Sequence, residues 1–283
     1  MPDEGVRARG SSTKEASGIE KKISVVVPTY NETENIRPLC ERLFKALEAE
    51  GLSGELLFVD DESEGSEPTE KIVKELKNEG HNVRIHCRKR TEGRGLSSAV
   101  LLGFEKASHK TLVCMDADLQ HEPETVPAVA SPVLEGNADF VVGSRNVKGG
   151  GVGFEWNFFR RLLSWGATLL AWPVASSSDP MSGFFCTTKD VLKRAPYLNP
   201  IGFKIGLEIM ARARCKNVSD VPITFQNRVA GESKLSGKMI RLYSEQLCHL
   251  YWDRFSWMLI VALLVAVFVL LFLLQIVATK LLR

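Results

Sequence analysis

Residues 23–50 read ISVVVPTYNETENIRPLCERLFKALEAE. The stretch opens as an apolar run without alternation, the pattern of a strand buried on both faces. From Glu32 onward the period changes. Ile36, Leu39, Cys40, Leu43, Phe44 and Leu47 recur at three- and four-residue steps, one face of a helix. A buried strand followed by an amphipathic helix is the first half of a strand–helix–strand unit. The same switch repeats downstream. ELLFVDD (55–61), VRIHCRK (83–89), TLVCMDAD (111–118) and DFVVGSR (139–145) read as strands. EPTEKIVKELKNEG (67–80) and LSSAVLLGFEKA (96–107) read as helices, and EPETVPAVASPVLEG (122–136) as a helix broken by its prolines. This alternation predicts an α/β fold, a mostly parallel sheet with helices on both faces.

The chain has 283 residues, enough for a large core, and a net charge of +2, which gives no bias towards nucleic acid. Its six cysteines (40, 87, 114, 186, 215, 248) form no C-x-x-C pair, so neither a zinc site nor a disulfide framework is expected. Residues 1–21 read as a polar tail without the apolar core of a signal peptide. At the other end, WMLIVALLVAVFVLLFLLQIVAT (257–279) begins with eighteen apolar residues. At about 1.5 Å per residue it is long enough for a hydrocarbon core of about 30 Å, so a transmembrane helix is expected there, with 280–283 as a short tail. An anchor at the last residues leaves the body in the cytosol. A helix at about 154–175 mixes tryptophan, phenylalanine and arginine and reads as lying at a membrane interface. Residues 237–256 lead into the span and read as a juxtamembrane amphipathic helix. The catalytic body is then 22–236.

In open parallel sheets, ligands bind beyond the carboxyl ends of the strands. Here those ends carry PTYNE, VDDES, CRKRTEGRG, MDADLQ and GSR. The densest is DADLQHEPE (116–124), which brings Asp116, Asp118, Gln120, Glu122 and Glu124 together with little positive charge. Hard oxygen donors after a strand suit Mg2+ or Mn2+, completed by phosphate oxygens. An EF-hand is excluded, because its sixth and twelfth positions would be His121 and Pro127. The bland reading of Asp118 is a helix cap. The sequence GGGVGF (149–154) lacks the Lys-Ser/Thr of a phosphate loop and reads as a flexible hinge. Glu208 sits among apolar residues and needs a partner, a helix end or a sugar hydroxyl.

VVVPTYNE, VDDES, MDADLQ and GSR, in that order, resemble the GT-A-type, Rossmann-like nucleotide-sugar transferases of glycosyltransferase family 2. DADLQHEPE, RRLLSWGA, DPMSGFF and RVAGESKLSG narrow the resemblance to the dolichol-phosphate mannose synthases of that family, over roughly residues 22–240. The single C-terminal span resembles the variety that works without an obligatory protein subunit. The resemblance implies inverting transfer of mannose from GDP-mannose to dolichyl phosphate, at the cytosolic face of the endoplasmic reticulum membrane. Dolichyl-phosphate glucosyltransferases using UDP-glucose share much of the pattern and are the rival reading. A catalytically inactive scaffold on the same fold would show degenerated acids, and these are intact.

Site residues follow from the same resemblance. Pro28, Tyr30 and Glu32 would hold the guanosine, and Asp60, in preference to Asp61, would read the base or ribose. Asp116, Asp118 and Gln120 would hold Mg2+ or Mn2+ against the diphosphate. Arg145, Arg160 and Ser164 would bind the lipid phosphate, with the role of Arg161 open. Arg228 and Lys234 would bind the sugar-nucleotide phosphates. The acceptor phosphate is already anionic near neutral pH, so no dedicated general base is expected. Asn31 and Asn217 both begin N-glycosylation sequons, and a glycan at Asn31 would block the nucleotide loop, which fits a cytosolic body.

Overall fold

The computed structural model describes residues 21–153, 158–227 and 237–281, and the side chains of all of these except 90, 158–160, 259, 262 and 269–281. In chain order the elements are β1 (Lys22–Thr29), α1 (Thr33–Ala49), β2 (Ser53–Asp60), α2 (Ser66–Asn78), β3 (Val83–Cys87), α3 (Leu96–Lys106), β4 (Thr111–Cys114), α4 (Val126–Leu134) and β5 (Phe140–Ser144). There follow β6 (Gly151–Val152), α5 (Phe158–Ala171), β7 (Phe185–Thr188), α6 (Lys189–Arg194), α7 (Ile205–Arg212), β8 (Val218–Pro222), β9 (Thr224–Phe225) and α8 (Gly237–Leu281).

Seven strands form one sheet in the order β3-β2-β1-β4-β7-β5-β8. Pairing is parallel throughout except at β7, which runs antiparallel between β4 and β5. The chain therefore steps outward from β1 to β3, then returns to lay β4 on the other side of β1. That reversal opens a crevice beyond the carboxyl ends of β1 and β4, where open α/β sheets bind ligands. Register places Thr29 opposite Asp60 and Val26 opposite Cys114, so three strand ends converge on the crevice.

The strands are apolar on both sides because both faces are covered. Ile23, Val25 and Val27 pack under α1 and α4 with Ile36, Leu39, Leu43 and Val129. Val26, Leu57 and Val59 pack under α3 and α7 with Val100, Phe104 and Ile209. Gly103 lets α3 approach closely: a Cβ there would lie 2.3 Å from a Val26 methyl. A third cluster, Ala171, Leu207, Tyr243, Leu247 and Leu250, joins α5, α7 and α8.

One expectation is corrected. Gly151–Val152 is not a free hinge but a short strand, paired in parallel with Thr224–Phe225. The juxtamembrane helix runs straight into the apolar segment. Gly237–Leu281 is one helix of 45 residues, because nothing at 256–257 breaks helical geometry. The transmembrane span gains no support from the fold: among the described residues no helix is long and apolar enough to cross a membrane. Of the expected interface helix, 154–157 lie outside the described residues. Phe158–Ala171 is helical and ends in a 3-10 turn, Trp172–Val174. Leu162, Trp165, Leu169, Leu170 and Trp172 on it are exposed.

Candidate active site

Beyond β4 the chain turns sharply. Leu119 adopts a left-handed φ of 58°, and Asp118 accepts a hydrogen bond from the Gln120 backbone N–H at 3.2 Å. The turn is fastened to the segment after β9. Gln120 and Gln226 are joined by a backbone bond of 2.9 Å, and the Gln120 side-chain amide donates to the Gln226 carbonyl at 2.9 Å. Asp118 and Gln120 are buried, while Asp116 is half-buried. Gly183 backs Asp116 so closely that a Cβ would lie 3.1 Å from its carboxylate.

His121 closes the turn from below. It is buried between Phe184 and Phe225, with ring centroids at 5.2 and 5.3 Å, and its Nδ1 accepts from the Asp116 backbone N–H at 3.3 Å. Burial pushes its pKa down to about 4, so it stays neutral and keeps that acceptor.

Two carboxylates and an amide oxygen are hard donors, and they fit a divalent cation of the Mg2+ or Mn2+ type. Among the described residues no three His, Cys, Asp or Glu side chains form a metal-binding group. A cation held by Asp116 and Asp118 would therefore need further oxygens from a ligand or water.

The second strand end divides its two acids. Asp60 turns inward. It accepts from the Ser63 backbone N–H at 2.9 Å, from the Ser63 hydroxyl at 2.8 Å, from the Ser66 hydroxyl, and from Thr29 at 3.3 Å. It is fully buried and organises the loop that starts α2. Asp61 lies at the crevice side. It is clamped by the buried Arg88 at 2.6 Å and by the Gly95 backbone N–H at 2.8 Å. Beside them, Tyr30 is exposed, Pro28 is half-buried, and Glu32 accepts from the Asn35 amide at 2.8 Å. The Asn31 side chain accepts from the Gly65 backbone N–H at 3.1 Å.

The end of β5 supplies Arg145. Asp179 grips it with Nε–Oδ2 at 2.7 Å and Nη2–Oδ1 at 2.8 Å, and the Arg145 backbone N–H adds a bond of 3.1 Å. Burial alone would raise the Asp179 carboxyl, but the adjacent guanidinium outweighs it and holds the group below the usual carboxylate range. Arg145 also lies over the Phe225 ring at 5.3 Å. It lines a cleft of about 1070 Å³ together with Arg161, Ser164, Trp165, Leu169 and Trp172 of α5 and the turn after it. Arg145 and Ser164 thus share one cavity, with apolar and aromatic residues along it. The Arg160 side chain, and all of Arg228 and Lys234, lie outside the described residues.

Two members of the site were missed in the sequence. Asp179 lies within DPMSGFF, where no local pattern marks it as a partner of Arg145. Lys204 is the other. It donates to the Met181 carbonyl, and the charges of Arg145, Asp116 and Asp179 all act on it. Burial and Arg145 push its pKa down to about 8, while the two acids pull the other way. The legible signal was position. Lys204 stands at the N-terminus of α7, where the helix dipole disfavours a cation. Glu208, by contrast, is structural: it accepts from Arg212, from the Asn199 backbone N–H at 2.9 Å and from Gln246 at 3.2 Å.

Comparison with known proteins bears on this geometry. The Glycosyl transferase family 2 model matches residues 24–194. The chain is 43% identical to the dolichol-phosphate mannosyltransferase of Mycosarcoma maydis over 255 residues, covering 87% of this chain and 85% of that one. It is 45% identical to the Saccharomyces cerevisiae protein of the same name, covering 82% and 88%. Among solved structures, mannosyl-3-phosphoglycerate synthase from Rubrobacter xylanophilus superposes with a TM-score of 0.58 at 19% identity, covering 83% of this chain and 74% of that one. Glucosyl-3-phosphoglycerate synthase from Mycobacterium tuberculosis, with Mn2+, UDP-glucose and glycerol 3-phosphate, gives 0.54 at 16% identity, covering 88% and 86%. With a family match over most of its catalytic body and such relatives along most of its length, the chain belongs to glycosyl transferase family 2.

Proposed function

We propose that this chain transfers mannose from GDP-mannose to dolichyl phosphate, giving dolichyl β-D-mannosyl phosphate and GDP. The observation that carries the reading is the cleft that joins Arg145 and Ser164 to the exposed apolar side of α5. It offers an anchored cation for a phosphate and a greasy wall for the chain attached to it. The two dolichol-phosphate mannosyltransferases similar to this chain supply the donor sugar and the acceptor class.

Each residue then has a physical role. Tyr30 gives the nucleotide base a flat apolar face, and Asp61, held by Arg88, faces the base and ribose. Asp60 acts only by shaping their loop. Asp116, Asp118 and Gln120 would hold Mg2+ or Mn2+, which would supply positive charge against that gathering on the departing GDP. Arg228 and Lys234 are assigned to the same phosphates. Arg145, fixed by Asp179, orients the acceptor phosphate for attack on the face of the sugar opposite the GDP, which inverts the anomeric centre. Arg160 and Ser164 complete the acceptor pocket. A phosphate monoester has its second pKa at about 6, so its attacking oxygen needs no base. Positioning and preorganised charge carry the rate.

The chain works in the endoplasmic reticulum membrane with its body in the cytosol, without an obligatory protein subunit. The apolar sequence at 257–279 supports a span there, and the exposed tryptophans of α5 support contact with the bilayer. A glycan on Asn31 would stand in the nucleotide loop, which supports a cytosolic body.

The test offers the detergent-purified chain dolichyl phosphate, Mg2+ or Mn2+, and labelled GDP-mannose or UDP-glucose in parallel. Label should enter organic-extractable lipid from GDP-mannose alone. Transfer from UDP-glucose would reassign the donor, and transfer from neither would overturn the reading.

A further inference from the structure

We propose that a second cleft, which shares Trp172 with the one at Arg145, binds the phosphate headgroup of an anionic bilayer lipid. It measures about 800 Å³ and lies between the end of α7, the loop after α6, the turn after α5, and α8. Arg214, Lys216 and Arg254 line it, all exposed and none in an ion pair among the described residues. The other charges there are already matched. Arg194 pairs with Asp139 at 3.2 Å, and Arg212 pairs with both Glu208 and Asp253. Three cations therefore leave the cleft positive. Between them stand Trp172, 60% exposed, and Tyr197, 51% exposed. Cations beside aromatic surface suit a molecule with an anionic head and an apolar tail.

Depth along α8 points to the same class of ligand; this step rests on the reading that 257–279 enters a bilayer. Arg254 lies three residues before Trp257, or about 4.5 Å up the helix axis, and Leu250 about 10 Å up. A bilayer of about 40–45 Å with a hydrocarbon core of about 30 Å has headgroup layers of about 5–7 Å on each side. The Arg254 backbone then sits in the layer that holds the lipid phosphates.

Arg214 follows α7 with a φ of +49°, the left-handed residue of a helix-end cap closed by the Cys215 N–H on the Met210 carbonyl at 3.1 Å. Arg214 and Lys216 also face the negative pole of α7, a purely stabilising role, but Arg254 is on another helix and has no such role.

The experiment titrates the detergent-purified full chain with dihexanoyl phosphatidylserine, dihexanoyl phosphatidylcholine and inorganic phosphate. It repeats the titration on the R214Q/K216Q/R254Q variant. Saturable binding of the serine lipid at least tenfold tighter than the choline lipid, lost at least tenfold in the variant with melting temperature and mannosyl transfer unchanged, is the expected result. Equal binding of inorganic phosphate would show a plain anion site and overturn the lipid assignment. Displacement by dolichyl phosphate but by no phospholipid would give the cleft to the acceptor and also overturn it. A fall in melting temperature without a change in lipid binding would leave only the helix-end role. Association of the wild-type chain with neutral phosphatidylcholine vesicles is measured separately. Failure there removes the span, while the short-lipid titration still decides the cleft.

Discussion

Replacing Asp179 by Asn tests whether Arg145 works as a preorganised cation. The substitution keeps the shape of the side chain but removes its charge and one strong acceptor. Asp179 is fully buried and Arg145 retains 13% side-chain exposure. Removing one partner of a buried ion pair costs about 3–5 kcal/mol, and water reaching Arg145 puts this case at the lower end, about 3 kcal/mol. At about 2–4 °C per kcal/mol for a domain of this size, the melting temperature should fall by about 6–12 °C. The functional effect should be one-sided. A released guanidinium no longer points into the cleft, so the KM for dolichyl phosphate should rise at least tenfold, while GDP affinity changes less than about twofold. Scanning fluorimetry, transfer rates against acceptor concentration, and GDP calorimetry read the three quantities. A lower melting temperature with an unchanged acceptor KM would refute the reasoning, since Asp179 would then support the fold alone.

Asp118→Asn should abolish transfer and the divalent dependence of GDP binding while leaving the circular dichroism spectrum unchanged; retained activity would remove the metal assignment. Gly183→Ala places a methyl 3.1 Å from the Asp116 carboxylate, which must move. GDP affinity in the presence of Mn2+ should fall about tenfold with little change in melting temperature, and unchanged affinity would mean that Asp116 tolerates the shift. The last prediction concerns acid stability. Burial alone would raise the Glu55 carboxyl, but bonds from the Ser108 backbone, Ser24 and Arg84 prevail and lower its pKa from 4.5 to about 2. A depressed carboxyl stabilises the fold above its unfolded pKa and loses that contribution as pH falls through the folded value. That lowering is worth about 3 kcal/mol. The stability gap between wild type and Glu55→Gln, measured by urea unfolding, should be widest above pH 5 and shrink towards pH 2. A gap that does not vary with pH would rule the linkage out.

The first five strands were legible because each is a short apolar run between polar turns. β7 was not, since FCTT at 185–188 ends in two polar threonines and carries no period. β8 mixes Ser219, Asp220 and Pro222 into its five residues, which reads as loop. The adjacent acids at 60 and 61 show where sequence stops. Alternation says that they face opposite ways, but only the positions of Ser63, Ser66 and Arg88 show which one the loop consumes. The partner of Glu208 could have been found: Arg212 stands four residues on, one helical turn away. Asp179 could not, because 34 residues separate it from Arg145 and no local pattern links them.

The unbroken course of α8 has a mechanical consequence. The helix is bolted to the catalytic body by Tyr243 on the Ala167 carbonyl, Gln246 on the Lys204 carbonyl, and Asp253 on Arg212 and Tyr197. It then runs on without a swivel into the apolar segment. A rigid shaft fixes both the height and the heading of whatever it carries. Inserting one residue between 254 and 257 would lift the body by about 1.5 Å and turn it by about 100°. The length of the shaft therefore sets which way the mouth of the cleft at Arg145 faces.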